Sequence, residues 1–344
     1  MASPRIRTRA PLRISFAGGG TDVPPFPAVE GGCVLSATID RFAYGSLDPR
    51  ADRVVTIESV DFKTSAEVSL DEEILCDGNL DLIKAAVRRF GRDGTGGYDL
   101  VLRSNAPPGS GLGASSTMMV ALTGLLARHY GVDLGDYDIA QLAHAIERDD
   151  LSITGGMQDH YAATFGGFNF IEFGDRVIVN PLRIRDQIAH ELEFSLLLCF
   201  TGITRDSAWV IEDQTRRAVA HTSDTIEGLR AQKELAVAMK AALLTGALRD
   251  FGALLGEAWA QKKRLSPLIT NPRIDELYEL ALRKGALGGK LTGAGGGGYI
   301  LLFCDFTKKH RVIEALEFTG AKVTEFTFSR EGMVTWTALA TATW

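Results

Sequence analysis

Glycine is not scattered along this chain but gathered into four runs. They are Gly18, Gly19 and Gly20; the alternation Gly109, Gly111 and Gly113; the pair Gly155 and Gly156; and Gly293 with Gly295 to Gly298 around Ala294. Glycine tolerates positive φ and lets the backbone approach a ligand closely. Separate runs divided by apolar, element-forming sequence therefore predict several loops converging on one site. Taken singly, each run is accounted for by a turn.

The sequence between the runs is that of a folded chain. Hydrophobic residues make up 45% and charged residues 23%, which excludes a disordered or fibrous chain. At 344 residues it exceeds a modal domain, so two domains sharing one body are expected. The 37 Lys and Arg against 43 Asp and Glu leave a net charge of -6, with no general attraction to nucleic acid or to an anionic membrane surface. Cys33, Cys76, Cys199 and Cys304 are far apart and form no C-x-x-C pair. That indicates neither a zinc cage nor a disulfide framework and fits a reducing, cytoplasmic setting. Arg5, Arg7, Arg9 and Arg13 are followed by no apolar signal-like stretch, and the longest apolar runs, near residues 299–304, are far short of a membrane span. Neither export nor membrane insertion is expected.

Hydrophobic patterning predicts strands over residues 12–16, 34–44, 54–60 and 98–103 and helices over 81–90, 117–130, 136–148 and 157–165, with strands at 168–173 and 176–182. From residue 193 the expected order is a strand at 195–201, a long helical region to about 265, a helix at 273–284 and two strands around the last glycine loop. A helix at 308–318 and closing strands at 322–328 and 334–340 follow. Discounting extra helices, this second half reads β-α-β-β-α-β, the ferredoxin-like order, which places a boundary near 190 between domains 1–190 and 191–344. No repeat or long linker separates the halves, so they are expected to share an interface.

The most informative loop is Pro107, Pro108, Gly109, Ser110, Gly111, Leu112, Gly113, Ala114, Ser115 and Ser116, which runs into a helix. A glycine loop at a helix N-terminus presents unpaired N–H groups and the positive end of the helix dipole, a combination suited to phosphate. The hydroxyls of Ser115 and Ser116 can complete a phosphate or Mg²⁺ shell. Three common nucleotide motifs are excluded. Gly109, Gly111 and Ala114 meet the G-x-G-x-x-A spacing, but Tyr130 at a helix end stands where a ribose-binding acid should close a strand. No G-K-[ST] occurs, since Lys290 follows Gly289 but precedes Leu291. Asp305-Phe306 is followed by Thr307 and no H-R-D exists, so the protein-kinase set is missing.

Arg9-Ala-Pro-Leu-Arg-Ile-Ser-Phe-Ala-Gly-Gly-Gly-Thr-Asp22, the loop 107–116 and Lys290-Leu-Thr-Gly-Ala-Gly-Gly-Gly-Gly298 resemble, in order and spacing, motifs one, two and three of the GHMP small-molecule kinases. Galactokinase, homoserine kinase, mevalonate kinase and phosphomevalonate kinase belong to that superfamily. Within it, Gly155-Gly-Met-Gln-Asp-His-Tyr161, Gly166-Gly-Phe-Asn169 and Gly285-Ala-Leu-Gly-Gly-Lys290 are most similar to the sugar-1-kinase branch acting on D-glycero-D-manno-heptose 7-phosphate. The fucokinase domain is its near relative.

The resemblance implies an α+β GHMP kinase fold, with an N-terminal domain like ribosomal protein S5 domain 2 and a ferredoxin-like C-terminal domain. It implies ATP along the loop 107–116, Mg²⁺ held by Ser115 and Glu147, Asp159 as catalytic base and Arg13 beside it. A sugar phosphate would lie against Gly19, Gly20, Thr21, Asp22, Gly155 and Gly156, with Gly295 on the third loop closing one wall. Transfer to the anomeric hydroxyl would serve synthesis of nucleotide-activated heptose for capsule, lipopolysaccharide or S-layer glycan. Lys263 and Arg264, with Lys262 and Lys290, are the basic residues available to clamp a substrate phosphate. A homo-oligomer is left open.

Each of these residues also has a plainer explanation. Asp159 suits a helix start, and Lys262, Lys263 and Arg264 suit a helix end. Glu147 opens the run Glu147-Arg148-Asp149-Asp150, which by default is a solvated face. Asp22 suits a turn before Pro24 and Pro25. An isolated arginine among apolar neighbours, as Arg13 is, is usually paired. His129, His144 and His160 show no metal-ligand spacing and read as structural. Met157 stands where some relatives are expected to carry a basic residue, which leaves a substrate contact there open. Kinase action on an unphosphorylated sugar such as L-fucose, or a non-catalytic sugar sensor on the same fold, remain alternatives. The joint presence of Asp159, Arg13, Ser115 and Glu147 speaks against the sensor.

Overall fold

Two sheets carry the fold of residues 4–91, 96–204 and 207–339, the part that the computed structural model describes. The first half runs β1 (Ile6–Ala17), α1 (Phe26–Glu30), β2 (Gly32–Pro49), β3 (Val54–Ser59), β4 (Thr64–Ser69), α2 (Asp81–Phe90), β5 (Tyr98–Ser104) and α3 (Ala114–Tyr130). It continues through α4 (Asp136–Ala145), which passes into a π-helical turn over Ile146–Asp150, then α5 (Gln158–Phe165), β6 (Phe168–Phe173) and β7 (Ile178–Pro181). The second half runs α6 (Asp186–Ser195), β8 (Leu196–Phe200), α7 (Ser207–Val219), α8 (Ser223–Thr245), α9 (Leu248–Arg264), α10 (Pro272–Lys284), β9 (Ala286–Leu291), β10 (Tyr299–Cys304), α11 (Phe306–Phe318), β11 (Lys322–Thr324) and β12 (Val334–Thr337).

The first sheet has the order β12-β1-β2-β5-β3-β4. The 18 residues of β2 hold β1 on one edge. The other edge takes β6 at residues 32–37 and then β5 at 43–49, with β7 beside β6. Helix α3 is buried almost continuously from Met119 to Ala127, as befits a helix that is apolar on all sides. It lies against β1 and β2, so the glycine loop at its N-terminus is fixed by the core.

The second sheet is antiparallel with the order β11-β8-β10-β9, the ferredoxin-like arrangement with α7 to α10 in the first crossover and α11 in the second. Local sequence sets the boundaries of α10. The Asn271 side chain accepts from Ile274 N, Pro272 opens the helix and Gly285 closes it at φ 119°.

The architecture departs from the sequence expectation at several places, among them the short helix α1, which was not expected. The closing strand does not join the second sheet. Instead β12 pairs antiparallel with β1, from Ile6↔Thr337 to Arg9↔Val334, and covers an edge that would otherwise expose unpaired backbone groups; Ala340 of that predicted strand lies outside the described residues. Helix α6 was not expected, although Ile188, Ala189 and Leu192 bury one face of it at helical spacing. Strand β4 was also missed, because its alternation is weak and half-exposed. The halves share a core in which Leu12, Phe16 and Leu35 of the first sheet pack with Met239, Phe251 and Phe303 of the second half. All four cysteines are free, and no helix among the described residues is long and apolar enough to cross a membrane.

Candidate active site

The second and third glycine loops interlock. A Cβ on Gly111 would lie 2.6 Å from Thr292 O, and one on Gly293 2.7 Å from Gly111 Cα, so neither position admits a side chain. Tyr299 N donates to Ser110 O at 3.1 Å. Beside them the first loop closes on α7, where Gln214 Nε2 donates to Gly20 O at 3.3 Å. Between the loops, α5, α7 and the π-helical turn lies a cleft of about 800 Å³.

Arg13 on β1 and Asp159 in the first turn of α5 meet on this cleft although 146 residues separate them. Arg13 is buried. Its Nε and Nη2 both reach Asp159 Oδ1, at 2.7 and 2.6 Å, and its Nη1 donates to Gly111 O at 2.8 Å. One arginine thus ties the acid to the glycine loop, using the planar fork a lysine lacks. Both bonds fall on Oδ1. Oδ2, which lies against Gly113, has no protein donor among the described residues and is the oxygen free to accept a proton.

Glu147 is 3% exposed, not the solvated charge that its sequence neighbours suggest. The π-helical turn swings it beneath α3 and α5, a widening that recurs at functional sites. Its Oε2 accepts from Ser116 Oγ at 2.8 Å and lies 2.7 Å from His160 Nε2, while Ser115 Oγ donates to Oε1 at 3.4 Å. Burial alone would raise its pKa. The His160 hydrogen bond and the charges of His160 and Arg148 outweigh that and bring it to about 2. The histidine is therefore a holder of Glu147, a role its spacing did not reveal. Oε1 of Glu147 and Oγ of Ser115 are hard oxygen donors on one cleft wall, and they fit Mg²⁺, which takes one or two protein oxygens and completes its shell with phosphate and water. No group of three or more His, Cys, Asp or Glu suited to a metal occurs among the described residues.

The structure brings most of the sequence-predicted residues together. Pro108, Gly109, Ser110, Gly111, Gly113, Ala114, Ser115 and Ser116 line the cleft with Arg13, Gly20, Asp22, Glu147, Gly156 and Asp159. Others stand behind it. The Leu112 side chain is buried and its carbonyl accepts from Arg13 N. Thr21 is enclosed, with its hydroxyl bonded to Gly18 O and Cys33 O. Gly19 presents its carbonyl to Lys262, Gly155 supports the Arg148 guanidinium, and Gly295 packs on Ile269. Lys290 is buried and donates to Ser15 O at 2.7 Å.

The expected clamp is corrected more sharply. Lys263 lies 3.9 Å from Asp275, and Arg264 pairs with Asp224 and Glu227, so both turn away from the cleft. Asp22 does line it, but its two oxygens accept from Gly20 N, Gln158 N and the Gln158 side-chain amide. In this arrangement Asp22 shapes the loop and offers no free oxygen. Gln158, Arg148 and Gln214 were missed as cleft residues, although Gln158 and Arg148 adjoin the predicted Asp159 and Glu147.

The sequence matches the GHMP kinases N terminal domain over residues 81–167 and the GHMP kinases C terminal domain over residues 239–322. It is 40% identical over 336 residues to the D-glycero-alpha-D-manno-heptose 7-phosphate kinase of Campylobacter jejuni, covering 96% of this chain and 98% of that one. The crystal structure of a D-glycero-D-manno-heptose 1-phosphate kinase from Bacteroides thetaiotaomicron superposes with a TM-score of 0.83 at 34% identity, covering 97% and 100% of the two chains. The L-fucokinase/L-fucose-1-P guanylyltransferase of Bacteroides fragilis is 28% identical over 86% of this chain and 34% of its own length. With both domains of the family matched and a relative of 40% identity aligned along nearly the whole chain, the protein belongs to the GHMP kinases, phosphotransferases that pass a phosphoryl group from ATP to an alcohol.

Proposed function

We propose that this protein is a sugar-1-kinase that transfers the γ-phosphate of ATP to the anomeric hydroxyl of D-glycero-D-manno-heptose 7-phosphate, giving the 1,7-bisphosphate and ADP for nucleotide-activated heptose synthesis. The observation that carries the reaction class is the Asp159 carboxylate, tethered through Oδ1 by Arg13 to the glycine loop with Oδ2 left free. A base held in that way accepts the hydroxyl proton as the oxygen attacks phosphorus and the bond to ADP breaks. The loop from Pro108 to Ser116 supplies backbone N–H groups at the start of α3 for the phosphates. Ser115 and Glu147 would hold Mg²⁺, which when bound neutralises charge on those phosphates. Arg13 adds a fixed cation beside the base, and preorganised charge of this kind is where most of the rate in phosphoryl transfer arises.

The choice of sugar rests on the relatives. Their names differ in the position of the phosphate, 7 in one and 1 in the other. A 7-phosphate acceptor phosphorylated at position 1 accommodates both numbers. An ADP-release assay across heptose 7-phosphate, free heptose, L-fucose and galactose tests the reading. We expect heptose 7-phosphate to be turned over far better than the rest. Equal activity on free and phosphorylated sugars favours the fucokinase-like alternative.

A further inference from the structure

The three consecutive basic residues at the end of α9 part company. Lys263 and Arg264 pair with surface carboxylates, whereas Lys262 turns inward and lines the cleft at 3% exposure. Its Nζ makes one hydrogen bond, to Gly19 O at 3.0 Å. An ammonium carries three N–H donors, so two have no protein acceptor among the described residues. The other cations of the cleft have carboxylates: Arg13 has Asp159, and Arg148 lies 3.7 Å from Glu147. Asp22 attracts Lys262 but is bonded to Gly20 and Gln158 instead, and Arg13 adds a repelling charge. Lys290, buried beside it, brings no carboxylate either: its Nζ donates to Ser15 O, and burial together with Lys262 and Arg13 holds its pKa well below the ordinary lysine value. Burial lowers the Lys262 pKa to about 8, which still leaves it cationic at neutral pH.

A buried ammonium with two idle donors and no paired carboxylate is an unfavourable arrangement unless an anion arrives to complete it. We propose that Lys262 is the phosphoryl-binding cation of the cleft, taking a phosphate group of the bound substrates on its two free N–H donors. The inference rests on the kinase reading and adds to it a contact that no glycine motif contains. Two kinds of phosphoryl group enter such a cleft beyond those that stay on ADP, the one already on the acceptor sugar and the terminal one being transferred from ATP. The same lysine chemistry suits either.

Calorimetric binding of four ligands to the full chain separates them: heptose 7-phosphate, free heptose, ADP and a non-hydrolysable imido analogue of ATP. Two variants are used. Lys262→Met removes charge and donor. Lys262→Gln removes the charge but retains a donor for Gly19 O, and it carries the test if the first fails to fold. Loss of one charge-assisted hydrogen bond predicts about a ten- to hundredfold weakening. If that loss falls on heptose 7-phosphate while free heptose changes less than twofold, Lys262 holds the phosphate of the acceptor. If it falls on the ATP analogue while ADP is unaffected, Lys262 holds the transferred group. Unchanged binding of all four ligands overturns the proposal. So does equal weakening of free heptose and ADP alongside their phosphorylated counterparts, because that is the signature of a damaged Gly19 loop. A wild-type protein that binds L-fucose and ignores heptose 7-phosphate defeats the substrate reading alone, and Lys262 is then judged on the ATP analogue against ADP.

Discussion

Helix α3 begins and ends on a glycine in left-handed conformation, Gly113 at φ 75°, ψ 23° and Gly131 at φ 66°, ψ 27°. This symmetry makes a controlled experiment. Alanine at either position forces an L side chain into the left-handed region, at about 1–2 kcal/mol. For a chain of 344 residues, whose unfolding entropy is about 0.7 kcal/mol/K, that lowers Tm by roughly 1.5–3 °C. The two sites differ in what the new methyl meets. At Gly131 nothing lies within 4 Å, whereas at Gly113 the added Cβ sits 3.0 Å from Asp159 Oδ2 and 3.4 Å from Arg13 Cζ.

The Gly113 contact has to open by a few tenths of an ångström, and the side chain best able to give is Asp159, the less buried partner of the pair. Misplacement of a reacting group by about 1 Å can cost a hundredfold. The smaller shift therefore predicts about a five- to fiftyfold loss of turnover, or about 1–2.3 kcal/mol on the barrier. Thermal melts and steady-state ADP release on both variants decide the matter. Gly113→Ala and Gly131→Ala should melt alike, and only the first should lose turnover. If turnover of Gly113→Ala stays within threefold of Gly131→Ala, the assignment of Asp159 Oδ2 as the working oxygen is refuted.

Asp159→Asn should keep nucleotide and sugar binding while turnover falls by about 10²- to 10⁴-fold, the range for removing a general base; near wild-type turnover would remove Asp159 from that role. Glu147→Gln should raise the Mg²⁺ concentration that half-saturates activity, because an amide is a poorer ligand for a hard cation. A Mg²⁺ titration of ADP release checks this, and an unchanged midpoint returns Glu147 to a structural part. The same carboxylate contributes to acid stability. Its folded pKa of about 2 lies below the ordinary value of 4.5. The stabilisation is therefore present above pH 4.5 and lost as pH falls from 4.5 towards 2, up to about 3 kcal/mol in all. Denaturant midpoints measured from pH 5 to pH 3 should fall more steeply in the wild type than in Glu147→Gln.

Features set by a residue and its near neighbours were legible in the sequence. Left-handed glycines at 109, 111 and 113, the apolar helix that follows them and the strand order of the second half rest on local conformational preference and periodicity, so the loops could be placed without coordinates, while Arg13, Asp159, Ser115 and Glu147 were singled out by the resemblance of their motifs to those of the GHMP kinases. Features that belong to pairs of distant residues were not. Whether Glu147 was a solvated charge or a buried one depended on Ser116 and His160, contributed by α3 and α5. Neighbouring residues on a helix point about 100° apart, so Lys262, Lys263 and Arg264 look alike in sequence. Only the packing of α9 against the Gly19 loop, 243 residues away, decided that the first enters the cleft and the other two meet surface acids. The return of β12 to β1 has the same origin. A strand carries its alternation in its own sequence, but the edge it pairs with is chosen by the rest of the fold.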